Sequence, residues 1–235
     1  HSEENYTTSR KGIEKVLEND PNNVMCLVIL ADIYLFSYSL GYTTVEDPIK
    51  LANTLINKAL RIAPLSQFAH AIHAMANIYM GKKKEAIEAM EYSFQLAPPS
   101  TSLKGALGYG FACVGEYNRG ETLLIEALDL NPYCPWWYYM AFFFIYYQNG
   151  RYEEASMYAQ KINVSGDVFL EPLLKAAALA QLGFISEAKA DVKRLNENFS
   201  EIMDNLETYL GTFILDQSLI DEIIQGAKKA GLVVA

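Results

Sequence analysis

Few side chains in this sequence are placed to do chemistry, and the histidines are the first to test. His70 and His73 stand three residues apart. On a helix that spacing puts two imidazoles on one face, where they can ligate a metal. No cysteine or carboxylate beside them completes a site, so their expected role is packing against the adjacent helix. Gly105, Gly108 and Gly110 lie inside a helical pattern with no strand before them, so they form no phosphate-cradling loop. Neither HExxH nor GxSxG occurs. Catalysis has no visible residues, and no enzyme activity, metal or cofactor is expected. Cys26, Cys113 and Cys134 are odd in number and never spaced CxxC, so they read as buried free thiols. Lys82, Lys83 and Lys84 form a compact basic run that reads as a solvated turn.

What remains is apolar chemistry. The chain has 235 residues, 51% of them hydrophobic and 20% charged, which is the composition of a globular domain with a substantial core. Its formal net charge of -9 repels phosphate backbones and anionic lipid, so nucleic acid and membrane surfaces are not expected partners. The most apolar stretch, Pro135 to Tyr147, is far short of the roughly 20 residues that span a bilayer. Three glycosylation sequons, at Asn5, Asn163 and Asn198, carry meaning only in a secreted chain, and a reducing cytoplasm is the expected location. The chain starts at His1 rather than methionine, which suggests an excised fragment whose upstream part holds an effector.

The elements that position these residues repeat. Pro64, Pro98 and Pro132 are 34 residues apart, and each closes a similar helical phrase: Lys58 to Pro64, Tyr92 to Pro98, Glu126 to Pro132. Between them recurs a glycine turn followed by an acidic and a small residue, at Gly81, Gly115, Gly150 and Gly183. The small residues Ala52, Ala86, Gly120, Ala155 and Ala188 fall at steps of 34, 34, 35 and 33. A fixed period of this length marks stacked two-helix units. The units read as a lone second helix at about 4–19, then pairs at about 24–62, 67–97, 101–130, 135–164 and 170–197. About nine extra residues around Ser37 to Glu46 precede a helix opened by Asp47 as cap and Pro48 at its first position. Residues 1–199 are expected to form the solenoid and 200–235 a helical cap packed on it. In that cap Ser218 through Asp221 resembles a capping box, and Gly231 a helix stop.

At these residues the chain resembles the tetratricopeptide repeat family. Leu107-Gly108, Phe111, Leu124, Ala127 and Pro132 stand at the pattern's positions, although Gly120 replaces the usual alanine. The resemblance covers roughly residues 4 to 195 and implies an all-α fold, a right-handed α-α superhelix of about five helix pairs with a C-terminal capping helix. It also implies that the first helix of each pair lines a concave groove, which gathers Phe68, Met75, Tyr79, Tyr109, Trp136, Tyr139, Phe143, Tyr146 and Tyr147. Such a groove suits a peptide or a partner helix, because aromatic side chains bring large contact area with few rotors to freeze. The competing reading buries part of this stripe, Trp137, Tyr138 and Phe142 included, or covers it with the capping helix or with a second copy of the chain. An apolar or sugar-like small molecule is a further candidate guest. Some repeat proteins grip a terminal carboxylate with basic and amide side chains; the corresponding positions here hold Val28, Asp32, Ala71, Met75, Gly105 and Tyr109, which excludes that mode. Asn131 to Tyr139, Gly150 to Ala155 and Ile223 to Leu232 resemble the carboxy-terminal repeat regions of bacterial signalling proteins that follow a class III nucleotide cyclase or a winged-helix domain. That resemblance implies a regulatory or sensory module without its effector.

Overall fold

Five of the described helices in this chain start where a short polar side chain takes up an orphan backbone N–H, and many stop where the backbone turns left-handed or meets proline. Asn23 Oδ1 accepts from the Cys26 amide at 3.0 Å, and Ser66 and Ser100 hydroxyls accept from the Ala69 and Leu103 amides at 3.3 and 3.4 Å. Asp47 accepts from the Lys50 amide at 3.1 Å with Pro48 behind it, as its sequence position suggests. Within the pairs, Gly81 and Gly115 adopt φ of 70° and 83°, which a side chain would strain, and these turns fold each second helix back along the first.

The computed structural model describes residues 3–42, 45–162 and 168–234. Among them are fourteen helical segments and no strand. A lone α1 (Glu3–Asn19) is followed by the pairs α2 (Val24–Ser39) with α3 (Pro48–Ile62), α4 (Gln67–Tyr79) with α5 (Lys83–Leu96), α6 (Thr101–Cys113) with α7 (Tyr117–Leu130), α8 (Trp136–Gln148) with α9 (Tyr152–Lys161), and α10 (Leu170–Gln181) with α11 (Ile185–Asn198). The sequon at Asn163 and the last residues expected of the fourth such pair lie outside the described residues.

Small residues set how closely the pairs close. A Cβ added to Gly120 would stand 2.9 Å from the Gly108 carbonyl oxygen, nearer than atoms tolerate, so α6 and α7 approach too tightly for the alanine that the other units carry. Leu27, Leu35, Ile56, Ile78, Met90, Leu107 and Phe111 are fully buried and make one continuous core between the layers. The first helices α2, α4, α6 and α8 touch in succession and form the inner face, and the second helices lie outside them. The coil is tight: the Phe36 ring of the first pair meets the Trp136 ring of the fourth at 6.0 Å, edge to face.

The tail turns inward. After α12 (Ser200–Met203) and α13 (Leu206–Gly211), α14 (Gln217–Lys229) packs mainly on α10 and α8, with little contact to α11. Its start is not the capping box expected at Ser218. Asp216 is the cap, accepting from the Ser218 amide at 3.0 Å and from the Tyr117 hydroxyl at 2.7 Å, so the helix opens before Ser218 is reached. Gly231, at φ 91°, does end it. No described helix is long and apolar enough to cross a membrane.

Candidate functional site

The first helices present one residue per turn to the inner face, and counting back from each turn glycine identifies it. Phe68 stands 13 residues before Gly81, and Trp137 stands 13 before Gly150. Met75 and Tyr109 each stand six before their glycine, at Gly81 and Gly115, and Asp32, Ile72 and Ala106 each stand nine before theirs. These residues converge. Asp32, Phe36, Phe68, Ile72, Met75, Tyr79, Ser102, Ala106, Tyr109 and Trp137 line a cavity of about 230 Å3 between α2, α4, α6 and α8. A second cavity of about 180 Å3 continues from it past Asp32, Phe36 and Trp137 to Tyr6, Ile33, Pro135 and Trp136. Trp137 tilts against Tyr109 with ring centroids 5.5 Å apart, and Tyr138 beside it lies over Gly105, where a Cβ would clash at 1.7 Å.

The nine residues singled out from the sequence therefore separate into three groups. Phe68, Met75, Tyr79 and Tyr109 share the first cavity, and Trp136 lines the second. Phe143 and Tyr147 are fully buried; the Tyr147 hydroxyl donates to the Glu222 carbonyl of α14 at 3.1 Å and accepts from Gln181 Nε2 at 3.2 Å. Tyr139 and Tyr146 turn toward α9, where both stack on Tyr158 at 6.3 and 5.4 Å, and the Arg151 guanidinium lies 4.3 Å over Tyr146.

The division has a counting cause. Pro64 to Gly81 and Pro98 to Gly115 are each 17 residues, but Pro132 to Gly150 is 18. Each residue turns an α-helix by about 100°, so the extra residue in the Asn131–Pro135 connector rotates every position of α8 that is counted forward from the proline. Trp137 thereby takes the repeat position that Phe68 holds in α4, while Trp136 lines the second cavity. The signal was present as the single step of 35 between Gly120 and Ala155.

Electrostatically the cavity is simple. Asp32 is the charged group among its lining residues, and burial pushes its carboxyl up to about 6. Burial also raises the Tyr79 and Tyr109 hydroxyls. Cys113 is buried, with its thiol pushed up to about 12, whereas Cys26 and Cys134 are only half-buried, contrary to the expectation for all three; all are free. His70 is engaged in packing and hydrogen bonding, its ring 4.6 Å from Tyr92 and its Nε2 2.9 Å from the Pro64 carbonyl. Burial lowers the His73 imidazole, with the neighbouring His70 and Lys82 adding to the shift. Among the described residues no three histidine, cysteine or carboxylate side chains gather as a metal set would.

No family model matches the sequence, and no curated protein matches it. Solved structures do. PilW, a widely conserved type IV pilus biogenesis factor, is 20% identical over 84% of this chain and 87% of its own, with a TM-score of 0.57. A tetratricopeptide repeat protein from Parabacteroides merdae is 12% identical over 95% of this chain and 92% of its own, with a TM-score of 0.54. At such identities likeness reaches the backbone and no further, and on that basis the chain has the fold of the tetratricopeptide repeat proteins.

Proposed function

We propose that this chain is a non-catalytic protein-interaction module that holds a segment of a partner protein on the inner face of α2, α4 and α6, beside Trp137 at the start of α8. The observation that carries the reading is internal. The same face, one pair further on, already takes a helix: α14 lays Leu219, Ile220, Ile223, Ile224 and Ala227 inward and covers α8 and α10. A surface that docks an amphipathic helix in its C-terminal half continues, with no covering helix among the described residues, into an aromatic cavity in its N-terminal half. Phe68, Tyr109 and Trp137 supply the rigid anchoring surface that such a partner requires. Net charge favours a basic segment, since the chain carries -9. The sequence resemblance to repeat regions of bacterial signalling proteins supports a regulatory role, in which an occupied groove is read by an effector elsewhere in a larger cytoplasmic protein.

The test is selection of displayed random peptides on the purified chain and on Ala106→Trp, which fills the cavity while leaving the helical circular dichroism spectrum in place. Peptides that compete with one another for the wild type and are lost on the filled variant support the groove. Retention on both proteins moves the binding surface elsewhere. If the wild type selects nothing and its sedimentation mass rises with concentration while that of Ala106→Trp does not, the guest is a second copy of the chain.

A further inference from the structure

Asp32 is out of character with its surroundings. It holds the repeat position that Ile72 and Ala106 hold in the next two pairs, and it lies where the two cavities meet. It is the charged side chain among the lining residues of both, and the remaining lining is largely aromatic and aliphatic. None of the ion pairs among the described residues uses it. A carboxylate half-buried among apolar side chains without a cation is costly, and a cation brought by a partner would offset that cost. Aromatic faces around it add a second preference of the same sign, because a ring's quadrupole attracts cations.

We infer that the cavity is a cation site that takes a lysine or arginine side chain of the partner segment, its ammonium or guanidinium paired with Asp32 and its methylene stem laid along Phe68, Ile72 and Trp137. The inference rests on the inner face being the partner groove. A long basic side chain fits because its stem is apolar and its head charged, which matches an apolar cavity with one acid in its lining. The titratable groups that face Asp32 are the phenols of Tyr6 from α1, Tyr79 from α4 and Tyr109 from α6, all raised by burial and uncharged near neutrality. Asp32 is therefore the group whose ionisation governs cation binding there. A free alkylamine carries the same chemistry as a lysine side chain, and the test separates the two.

The probes are the peptide acetyl-Ala-Leu-Lys-Leu-Ala-amide, its norleucine analogue, and pentylammonium, titrated against the intact chain and followed by tryptophan fluorescence, since Trp136 and Trp137 both line these cavities. Asp32→Asn, which keeps shape and removes charge, is the paired variant, with its melting curve recorded as the check on folding. At pH 7.5 the lysine peptide is expected to bind about tenfold tighter than the norleucine peptide, a preference that shrinks as pH falls through 6 and is absent in Asp32→Asn. Equal binding of the two peptides by the wild type overturns the cation site and leaves the groove standing. Pentylammonium binding as tightly as the lysine peptide overturns the protein segment as the source of the cation. Absence of binding by all three probes at millimolar concentration overturns the cation site, and the peptide selection then decides the groove separately.

Discussion

On α8 and α10 the inner face is covered by α14, whereas on α2, α4 and α6 the same face surrounds a cavity of about 230 Å3. The covered half is built for a permanent occupant. Gly226 lets α14 sit so low that a Cβ there would come 2.1 Å from the Tyr147 hydroxyl, and the lead-in to α14 is anchored by the Leu215 amide donating to the Cys113 carbonyl at 2.7 Å. The other half keeps the Phe36, Phe68 and Trp137 rings half-buried around an acid that none of the ion pairs among the described residues uses. The same two-helix repeat thus gives stability where its own tail returns and leaves binding capacity where it does not. The difference lies in what the chain places opposite the face.

Removing the tail is the strongest way to break this contrast. Truncation after Leu215 uncovers the α8 and α10 surface and forfeits the burial of Leu219, Ile220, Ile223 and Ile224. At about 1.5–3 kcal/mol gross for each large side chain, a net loss on the order of 5 kcal/mol is expected, read as a large drop in urea midpoint with new binding of a hydrophobic dye. Gly226→Val tests the same contact by steric means. It should cost about 1–3 kcal/mol in thermal or urea unfolding, and an unchanged midpoint would show that α14 is not held by that close approach.

In the open half the expected sign reverses. Asp32→Asn should stabilise the chain by about 1–3 kcal/mol at pH 8, because the folded carboxyl titrates at about 6 against an ordinary 3.8. A raised carboxyl means that the folded state binds protons more readily than the unfolded chain. Wild-type stability from this group therefore rises as pH falls from above 6 toward 4, and the advantage of the variant disappears over that window. A variant less stable than the wild type at pH 8 would mean that Asp32 has a compensating partner. The smallest effect is expected for Ala106→Leu, which adds apolar volume to the cavity and should move stability by less than about 1 kcal/mol while weakening peptide binding. That separation between stability and binding is what the covered half cannot show.

Helix boundaries were legible because prolines, caps and turn glycines act locally; the expected pair at 67–97 became α4 and α5 at Gln67–Tyr79 and Lys83–Leu96. Four of the ten residues that line the cavity were legible by the same periodicity, Phe68, Met75, Tyr79 and Tyr109. Trp137 was missed because a rotation of about 100° follows from one added connector residue, and an all-apolar α8 offers no polar face to reveal its register. Tyr147 follows the alternative in which the capping helix covers part of the groove, since α14 returns over it; which residues α14 covers is not announced by anything local in the sequence.

By itself, then, the sequence determined the repeat, the helices and their pairing, since these depend on residues no more than about one 34-residue period apart. Tertiary structure alone decided which part of the inner face stays open. That outcome depends on a contact between Tyr147 and Glu222, 75 residues apart, and on a coil tight enough to bring Phe36 to Trp136. Such meetings are set by the summed rotation of every pair between them, a quantity no local pattern of residues encodes.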